Sequence, residues 1–515
     1  MRKIYLLIAI LFCIGISDIY AQNDYTSYGL SNTAFQEGTA RSMAMGNALN
    51  ALGGDIGAIN FNPAGTGIYK FTEMSITPAL STVSTTSDFF GSSYKTNRTT
   101  FGIANTGAVF YIPTGSRSGL KNINFGVVFS KLNNYNMSEI AKNRGNVSDP
   151  TFLDHLANYT NESAHNMGYN AEDFADIMNI NSSQNPYRDL GGGLWPSILG
   201  WNTSLLNLNA AGTAFEPTSQ GAIDQQFKRK SFGYNAATDF SFAMNFSDVA
   251  YIGLNTTFTS VYNKIEESYS EDSTEPHDFN YMDHFYDQKT IGSGIGGKLG
   301  VIIVATPNIR FGASISTPTM YYLTDKARWG MNSSLGTDYT ASLRTPRLEM
   351  DYRVKTPFKY NLGASVVFPQ FALSFDYEGT DMSQMRFLSD ETENFDSRYD
   401  WSYINDAIKE SYERQDKVRI GFEYNLPNGI AWRLGYQYSN SGIKSIKIDS
   451  HIISAGVGYS APSGFFADLA YVGTTKKSDV LFDGDDLMSS YIVQSSTKEY
   501  KRNVWKLLAT VGFRF

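Results

Sequence analysis

The sequence predicts an all-β fold: a transmembrane antiparallel β-barrel of about fourteen strands, with small helices in its extracellular loops. Three observations carry that prediction. Apolar and polar residues alternate with period two over long stretches. The connections between those stretches are short on one side and mostly long on the other. An export leader opens a chain in which no later apolar run approaches the ~18 residues a membrane helix needs.

The leader comes first. Arg2 and Lys3 form a positive n-region, Ile4 to Ile16 an apolar h-region, and Ile19-Tyr20-Ala21 a small-residue cut site. Together they predict a signal peptide over 1–21. The run is short for a membrane anchor, and polar residues follow at once. The chain's one cysteine, Cys13, lies inside it. Cleavage after Ala21 therefore leaves no thiol for a disulfide, for catalysis or for a thiolate metal site.

Composition narrows the class. Charged residues make up 18% of the 515 residues, below the ~25% of soluble domains. The net charge of −8 is the wrong sign for a nucleic-acid partner. A hydrophobic content of 42% is too high for disorder. The length would suggest several domains, but a barrel adds strands around a ring without enlarging a core. Export, the lack of an apolar helix and the abundance of Tyr, Phe and Gly point to the outer membrane of a Gram-negative bacterium.

The strands follow. Phe232, Tyr234, Ala236, Phe240, Phe242, Met244 and Phe246 alternate with Gly233, Asn235, Ala237, Asp239, Ser241, Ala243 and Asn245. Successive side chains of a strand point to opposite faces, so one face here is greasy and the other wet. The same pattern runs through Val418 to Asn425, Ile430 to Tyr438, and Trp505 to Phe515. A soluble sandwich also alternates, so the connections decide. The pattern places strands at 73–84, 99–112, 122–135, 231–246, 250–263, 290–305, 309–322, 349–368, 371–386, 413–425, 429–440, 446–461, 464–475 and 497–515. Connections 247–249, 306–308, 369–370, 426–428 and 462–463 are very short, and 113–121 is on the same side. Those opposite (85–98, 136–230, 264–289, 323–348, 387–412 and 476–496) are long, with 441–445 the exception. Short turns on one rim and long loops on the other mark an outer-membrane barrel. The barrel is thus assigned to 73–515, with 136–230 as its longest extracellular loop. Phe152, Leu153 and Leu156, then Phe174, Ile177 and Met178, have helical spacing inside that loop, as do Trp401, Ile404 and Ile408 in 387–412.

Few motifs compete. Gly292-Ser293-Gly294-Ile295-Gly296-Gly297-Lys298 has phosphate-loop spacing, but Leu299 replaces the hydroxyl residue and the segment falls on a predicted membrane strand. His277, Asp278, Asp283, His284 and Asp287 lack a ligand spacing and read as a solvated loop. Asp483-Gly484-Asp485-Asp486 lacks the remaining ligands of a calcium loop. The five histidines show no nucleophile elbow, so no enzyme is expected, and no cofactor or metal.

The N-terminal segment carries a family resemblance. Gly38 to Ala48 (GTARSMAMGNA), then Asp55 to Gly65 (DIGAINFNPAG), resembles the start of the FadL/TodX-type outer-membrane transporters of hydrophobic compounds. Thr356-Pro357-Phe358-Lys359-Tyr360-Asn361-Leu362-Gly363 is similar to a proline-containing strand start of that family, and Arg419 to Tyr424 and Arg433 to Tyr436 look like its late strands. The terminal Phe515 matches the C-terminal aromatic of such barrels. The loop 136–230 falls outside the likeness.

The resemblance implies that 22–72 is a hatch folded inside the barrel, which suits a lumen too wide for its own side chains to fill. It implies passive, outer-membrane transport of a fatty-acid-like or aromatic compound by a monomer in contact with outer-membrane lipid. Asn62-Pro63-Ala64-Gly65 is a turn by its chemistry, expected either to anchor the hatch or to gate it. Ligand capture is expected at Phe152, Leu156, Trp195 and Trp201 in the loops, followed by passage into an apolar pocket between hatch and wall. Arg41 and Arg433 are candidates to meet a carboxylate. Sideways release through the third strand, Asn122 to Tyr135, would show as an interruption at Asn133-Asn134. Some members of this barrel family instead act as shuttles for protein cargo in type IX secretion, and the long loops fit that alternative equally.

Overall fold

In the computed structural model the chain is a closed antiparallel β-barrel of fourteen wall strands. The structure describes residues 24–32, 36–145, 149–183, 185–219, 221–275, 278–388, 401–444, 449–478 and 500–515. The leader, His277 and the Asp483-Gly484-Asp485-Asp486 run lie outside the described residues.

In order, the wall strands are β1 (Glu73–Phe89), β2 (Ser92–Pro113), β3 (Leu120–Asn134, continued by Met137–Arg144), β4 (Ile223–Phe246), β5 (Ala250–Ser273), β6 (Phe279–Thr306) and β7 (Ile309–Ser316, continued by Met320–Leu335). Then come β8 (Leu348–Lys355, continued by Lys359–Val367), β9 (Phe371–Asp381), β10 (Arg414–Asn425), β11 (Ile430–Ser439), β12 (Ser450–Ser460), β13 (Phe465–Ser478) and β14 (Tyr500–Arg514). Each pairs with its neighbour, and β1 closes the ring on β14, with Glu73 opposite Arg514 and Ser81 opposite Lys506.

The alternation sorts the two faces as expected. On β5, Ile252, Leu254 and Phe258 are exposed on the outside, while Asn255, Thr257 and Thr259 are buried in the lumen. The outer belt ends at an aromatic level where Tyr234 of β4 stacks on Tyr262 of β5, ring centroids 6.4 Å apart. Beyond it the outward residues are Lys228, Lys230, Lys264 and Glu266. From Ile252 to Tyr262 the belt matches the ~9–11 tilted residues that cross a bilayer. Among the described residues no helix is long and apolar enough to cross a membrane.

The strands outrun the expected ones. Stretches 85–98, 264–289 and 323–348, and both ends of 136–230, were expected as loops but largely continue the wall as strand, and β6 alone has 28 residues. The physical reason is visible on β4 and β5. Above the belt the outward side chains turn from apolar to charged, so the alternation fades while the backbone ladder persists. Pro357 directly precedes the strand segment Lys359–Val367, at the break between the two parts of β8.

Between β3 and β4 sits a helical cap of α-helices Phe152–Asn166, Ala171–Met178, Pro186–Asp189 and Trp195–Asn202. The first begins at a capping box, Thr151 with Asp154, which satisfies two free amides of the helix start. The cap core of Phe174, Met178, Ile198 and Leu199 continues into lumen-facing residues of the upper wall, Met282, Tyr286 and Met331. The cap therefore packs into the loop-side mouth.

Candidate functional site

The hatch is built from short pieces with side-chain caps. A helix at Asp24–Ser31 leads in. Thr39 caps the helix Ala40–Ala44 by accepting from the Ser42 amide, and Asp55 caps the 3-10 turn Ile56–Asn60 through the Gly57 amide. Asn62 caps a second 3-10 turn, Pro63–Ile68, accepting from the Ala64 amide. Short polar residues at these starts replace the hydrogen bonds that helix ends lack.

The wall holds this segment by three devices. The first is close approach. A Cβ on Gly435, Gly253, Gly312 or Gly300 would overlap Gly46 N, Ala64 N, Asn50 O or Asn62 Oδ1 respectively. Lumen-facing glycines thus let hatch backbone touch wall backbone. The second is amide bonding: Asn62 Nδ2 donates to Asn50 O at 2.8 Å and to Val301 O of β6 at 3.1 Å, and the Asn50 amide donates to Asp376 of β9 at 2.8 Å. The third is buried charge. Arg41 grips Glu423 of β10 with two bonds, 2.8 and 3.0 Å. Glu423 also accepts from Arg433 of β11 at 2.6 Å, and Arg433 reaches Asp468 of β13 at 2.6 Å. Glu37 pairs with Lys506 of β14 at 2.6 Å.

Arg41 and Arg433 therefore share one hatch-to-wall ion network. Asn62, Pro63, Ala64 and Gly65 are buried against β5 and β6. Phe152 and Leu156 are fully buried in the cap core; Phe152 packs on Tyr269 of the wall at 5.6 Å. Trp195 is buried edge-on to Trp329 at 5.3 Å. Trp201 is half-buried, its ring 5.7 Å from Phe215.

A cavity lies between the hatch and β5–β8. Leu30, Phe61, Leu132 and Tyr321 line it, but so do Thr257, Thr259, Lys298 and Glu378. The expected pocket was apolar; the one found is amphipathic, because its wall side is built from the wet face of the strands. Glu378 is bracketed by Lys417 at 2.9 Å and Arg419 at 2.6 Å, and the Arg419 guanidinium lies 4.9 Å from the Phe61 ring centre.

The third strand leaves its neighbour. β2 and β3 pair from Pro113↔Asn122 to Asn105↔Ser130, and beyond that the described ladders join β2 to β1 alone. The β3 register on β4 shifts between Lys131 and Asn133, and the strand stops at Asn134, at the expected interruption. Asn133 turns inward and donates to Gly29 O and Asn32 O of the hatch, both at 2.8 Å. The continuation Met137–Arg144 lies inside β1, where Thr85 and Ser87 hydroxyls donate to Ser138 O and Ile140 O at 2.6 and 2.5 Å.

The overall fold has solved counterparts. The Pseudomonas putida toluene transporter TodX is similar with a TM-score of 0.50 at 13% identity, over 93% of this chain and 99% of that one. The fold is that of TodX. A TodX monoaromatic hydrocarbon channel carrying the deltaS2 mutation matches at 0.51 and 12% identity, over 93% and 98% of the two chains. A deltaS2S3 mutant of the same TodX channel matches at 0.50 and 13%, over 94% and 100%. No family model and no curated protein matches the chain.

Within the TodX fold, sequence reasoning missed the Glu378–Lys417–Arg419 group and the glycine contacts. Each of those residues is an ordinary inward position of a strand. Only strand register, Glu378 opposite Lys417, brings the charges together. Among the described residues no group of three or more His, Cys, Asp or Glu is placed to hold a metal.

Proposed function

We propose that this protein is an outer-membrane channel, not an enzyme, through which hydrophobic small molecules pass by diffusion. The observation that carries the reading is the parting of β2 from β3 near a cavity lined by both the docked hatch and the wall. A molecule caught at the cap enters the cavity and leaves sideways through that gap into lipid. The Asn62–Gly65 turn keeps the hatch seated while it does so. The solved proteins of this fold named above are described as a toluene transporter and as monoaromatic hydrocarbon channels, which supports an aromatic or fatty-acid-like ligand. Burial of apolar surface at about 25 cal/mol per Å² supplies the capture energy, so no external energy source enters the scheme. Cavity hydroxyls and lysines add a place for a polar end.

The test is uptake. Gram-negative cells producing the full chain should accumulate N-phenylnaphthylamine faster than vector controls, and purified protein should quench or shift that probe's fluorescence on binding. Uptake equal to the control removes the transport reading. A secreted protein recovered in stoichiometric complex with the cap would replace it with the cargo-shuttle alternative.

A further inference from the structure

The wall has a second defect, opposite in character to the β2–β3 gap. β7 and β8 both break at the same level, at Thr317-Pro318-Thr319 and Thr356-Pro357-Phe358. Each proline removes a ladder donor. Each break also shifts the alternation by one residue. On β7 the buried positions run Gly312, Ser314 before it and Tyr321, Leu323 after it; on β8 they run Tyr352, Val354 and then Asn361, Ser365.

The ladder is supplemented there by threonine hydroxyls, with one backbone bond kept across to β8, from the Thr356 amide to Thr319 O at 3.0 Å. Regular pairing with β6 resumes at Lys298↔Ser316 on one side and Ile295↔Met320 on the other. Between them the Gly297 amide donates to the Thr317 hydroxyl at 2.9 Å, and the Thr317 amide to Gly297 O at 2.9 Å. Across to β8, the Thr319 amide donates to the Thr356 hydroxyl at 2.8 Å. Ile295, Leu299, Ile315, Tyr322 and Phe358 are exposed around the spot, which places it at bilayer depth. Irregular backbone at that depth is tolerated where it is buried in protein or lines a cavity. Here it lines one: Gly296, Gly297, Thr317, Thr319 and Thr356 form the outer side of the cavity described above.

We propose that this paired break is a second lateral portal, joining the cavity to the bilayer through β6–β8 and admitting small amphiphiles dissolved in lipid. The inference rests on the transport reading for its use, but not for its detection. An apolar body would pass between Ile315 and Phe358, and a polar end would exchange among the threonine hydroxyls that already supplement the ladder. Two adjoining breaks, bridged in part by threonine hydroxyls that can exchange partners, separate more easily than an uninterrupted backbone ladder.

The experiment reads access rather than flux. Purified full-length protein in phosphatidylcholine bilayers is photolabelled with a long-chain alkane carrying a diazirine, and labelled residues are mapped. The cavity residues Thr257, Thr259 and Asn361, which face away from lipid, should be labelled along with the outer Ile295 and Leu299. In Gly297→Trp the indole covers the break from the lipid side; a Cβ there meets its nearest atom, Asn255 O, only at 3.4 Å, so the wall accommodates it. Cavity labelling should be lost while outer labelling stays. If Gly297→Trp does not insert, Thr317→Trp covers the same break. Cavity residues unlabelled in the wild type, or labelled equally in the covered variant, overturn the portal; the latter result assigns access to the β2–β3 gap. A failure of N-phenylnaphthylamine uptake would strike the transport reading and leave this labelling outcome standing.

Discussion

At the scale of single residues, the hatch is held by groups whose worth depends on burial. Glu423 lies between two guanidiniums and is almost out of contact with solvent. Removing one partner of a buried ion network costs about 3–5 kcal/mol, because the charges left behind stay desolvated. Glu423→Gln keeps the volume and strands Arg41 and Arg433, softened by Asp55 at 3.8 Å from Arg41 and by Asp468. The expected loss is therefore near the lower end, about 3 kcal/mol. It should appear as chymotryptic cleavage within 36–72 while the barrel remains protease-resistant. Gly435→Val should release the same segment by a different route, since a side chain there collides with the Gly46 backbone. A hatch that stays protected in both variants would mean that neither contact seats it. The sequence made the Arg41 and Asn62 neighbourhoods visible through their motif and turn chemistry. It hid their partners, since Glu423 and Asp376 lie more than three hundred residues away and only the barrel's closure brings them near.

At the scale of elements, strands within the bilayer were legible and strands above it were not. Ile252 to Tyr262 announces itself by apolar alternation; Lys264 to Ser273 is the same strand with a polar outer face. The cap was legible in part. The spacing of Phe152, Leu153 and Leu156 marks a helix, but the side of it that is covered could not be read from spacing. Phe152, a candidate for ligand capture, is walled in by Tyr269 and His284, with its amide donating to Glu271 at 2.5 Å. Such a residue is a keystone between cap and wall. Phe152→Ala should cost about 3–5 kcal/mol by cavity formation, and the cost should fall on the cap alone. Hydrogen exchange should rise in the helices over 152–202 and stay unchanged in β9–β14. Uniform loosening of the whole barrel would show that cap and wall are one cooperative unit. Further out, His155 on the same helix has its pKa lowered by partial burial. It is therefore neutral near pH 7, and seating of the cap is favoured by rising pH through its folded value and opposed by acidification.

At the scale of the whole molecule, the medium that surrounds the outer belt decides what the barrel can do. A barrel in water and a barrel in lipid can share every ladder bond in this structure. They differ in how the outer face responds to charge at different heights. In lipid, an arginine at the midplane of the belt costs about 2–4 kcal/mol and one near the interface about 0–1 kcal/mol. Thr256 is outward and lies mid-belt between Ile252 and Tyr262; Ser268 is outward on the same strand but above the Tyr234–Tyr262 level. Thr256→Arg should thus destabilise by about 2–4 kcal/mol and Ser268→Arg by less than about 1 kcal/mol, measured by denaturant titration of the protein folded into liposomes. The contrast has a direct physical origin, because a guanidinium at the first position must give up water and at the second it need not. Equal, small effects at both positions would place the belt in water. The sideways routes to lipid, through the β2–β3 gap and through the β6–β8 break, would then lead nowhere, since each is useful only if what lies outside it is hydrocarbon.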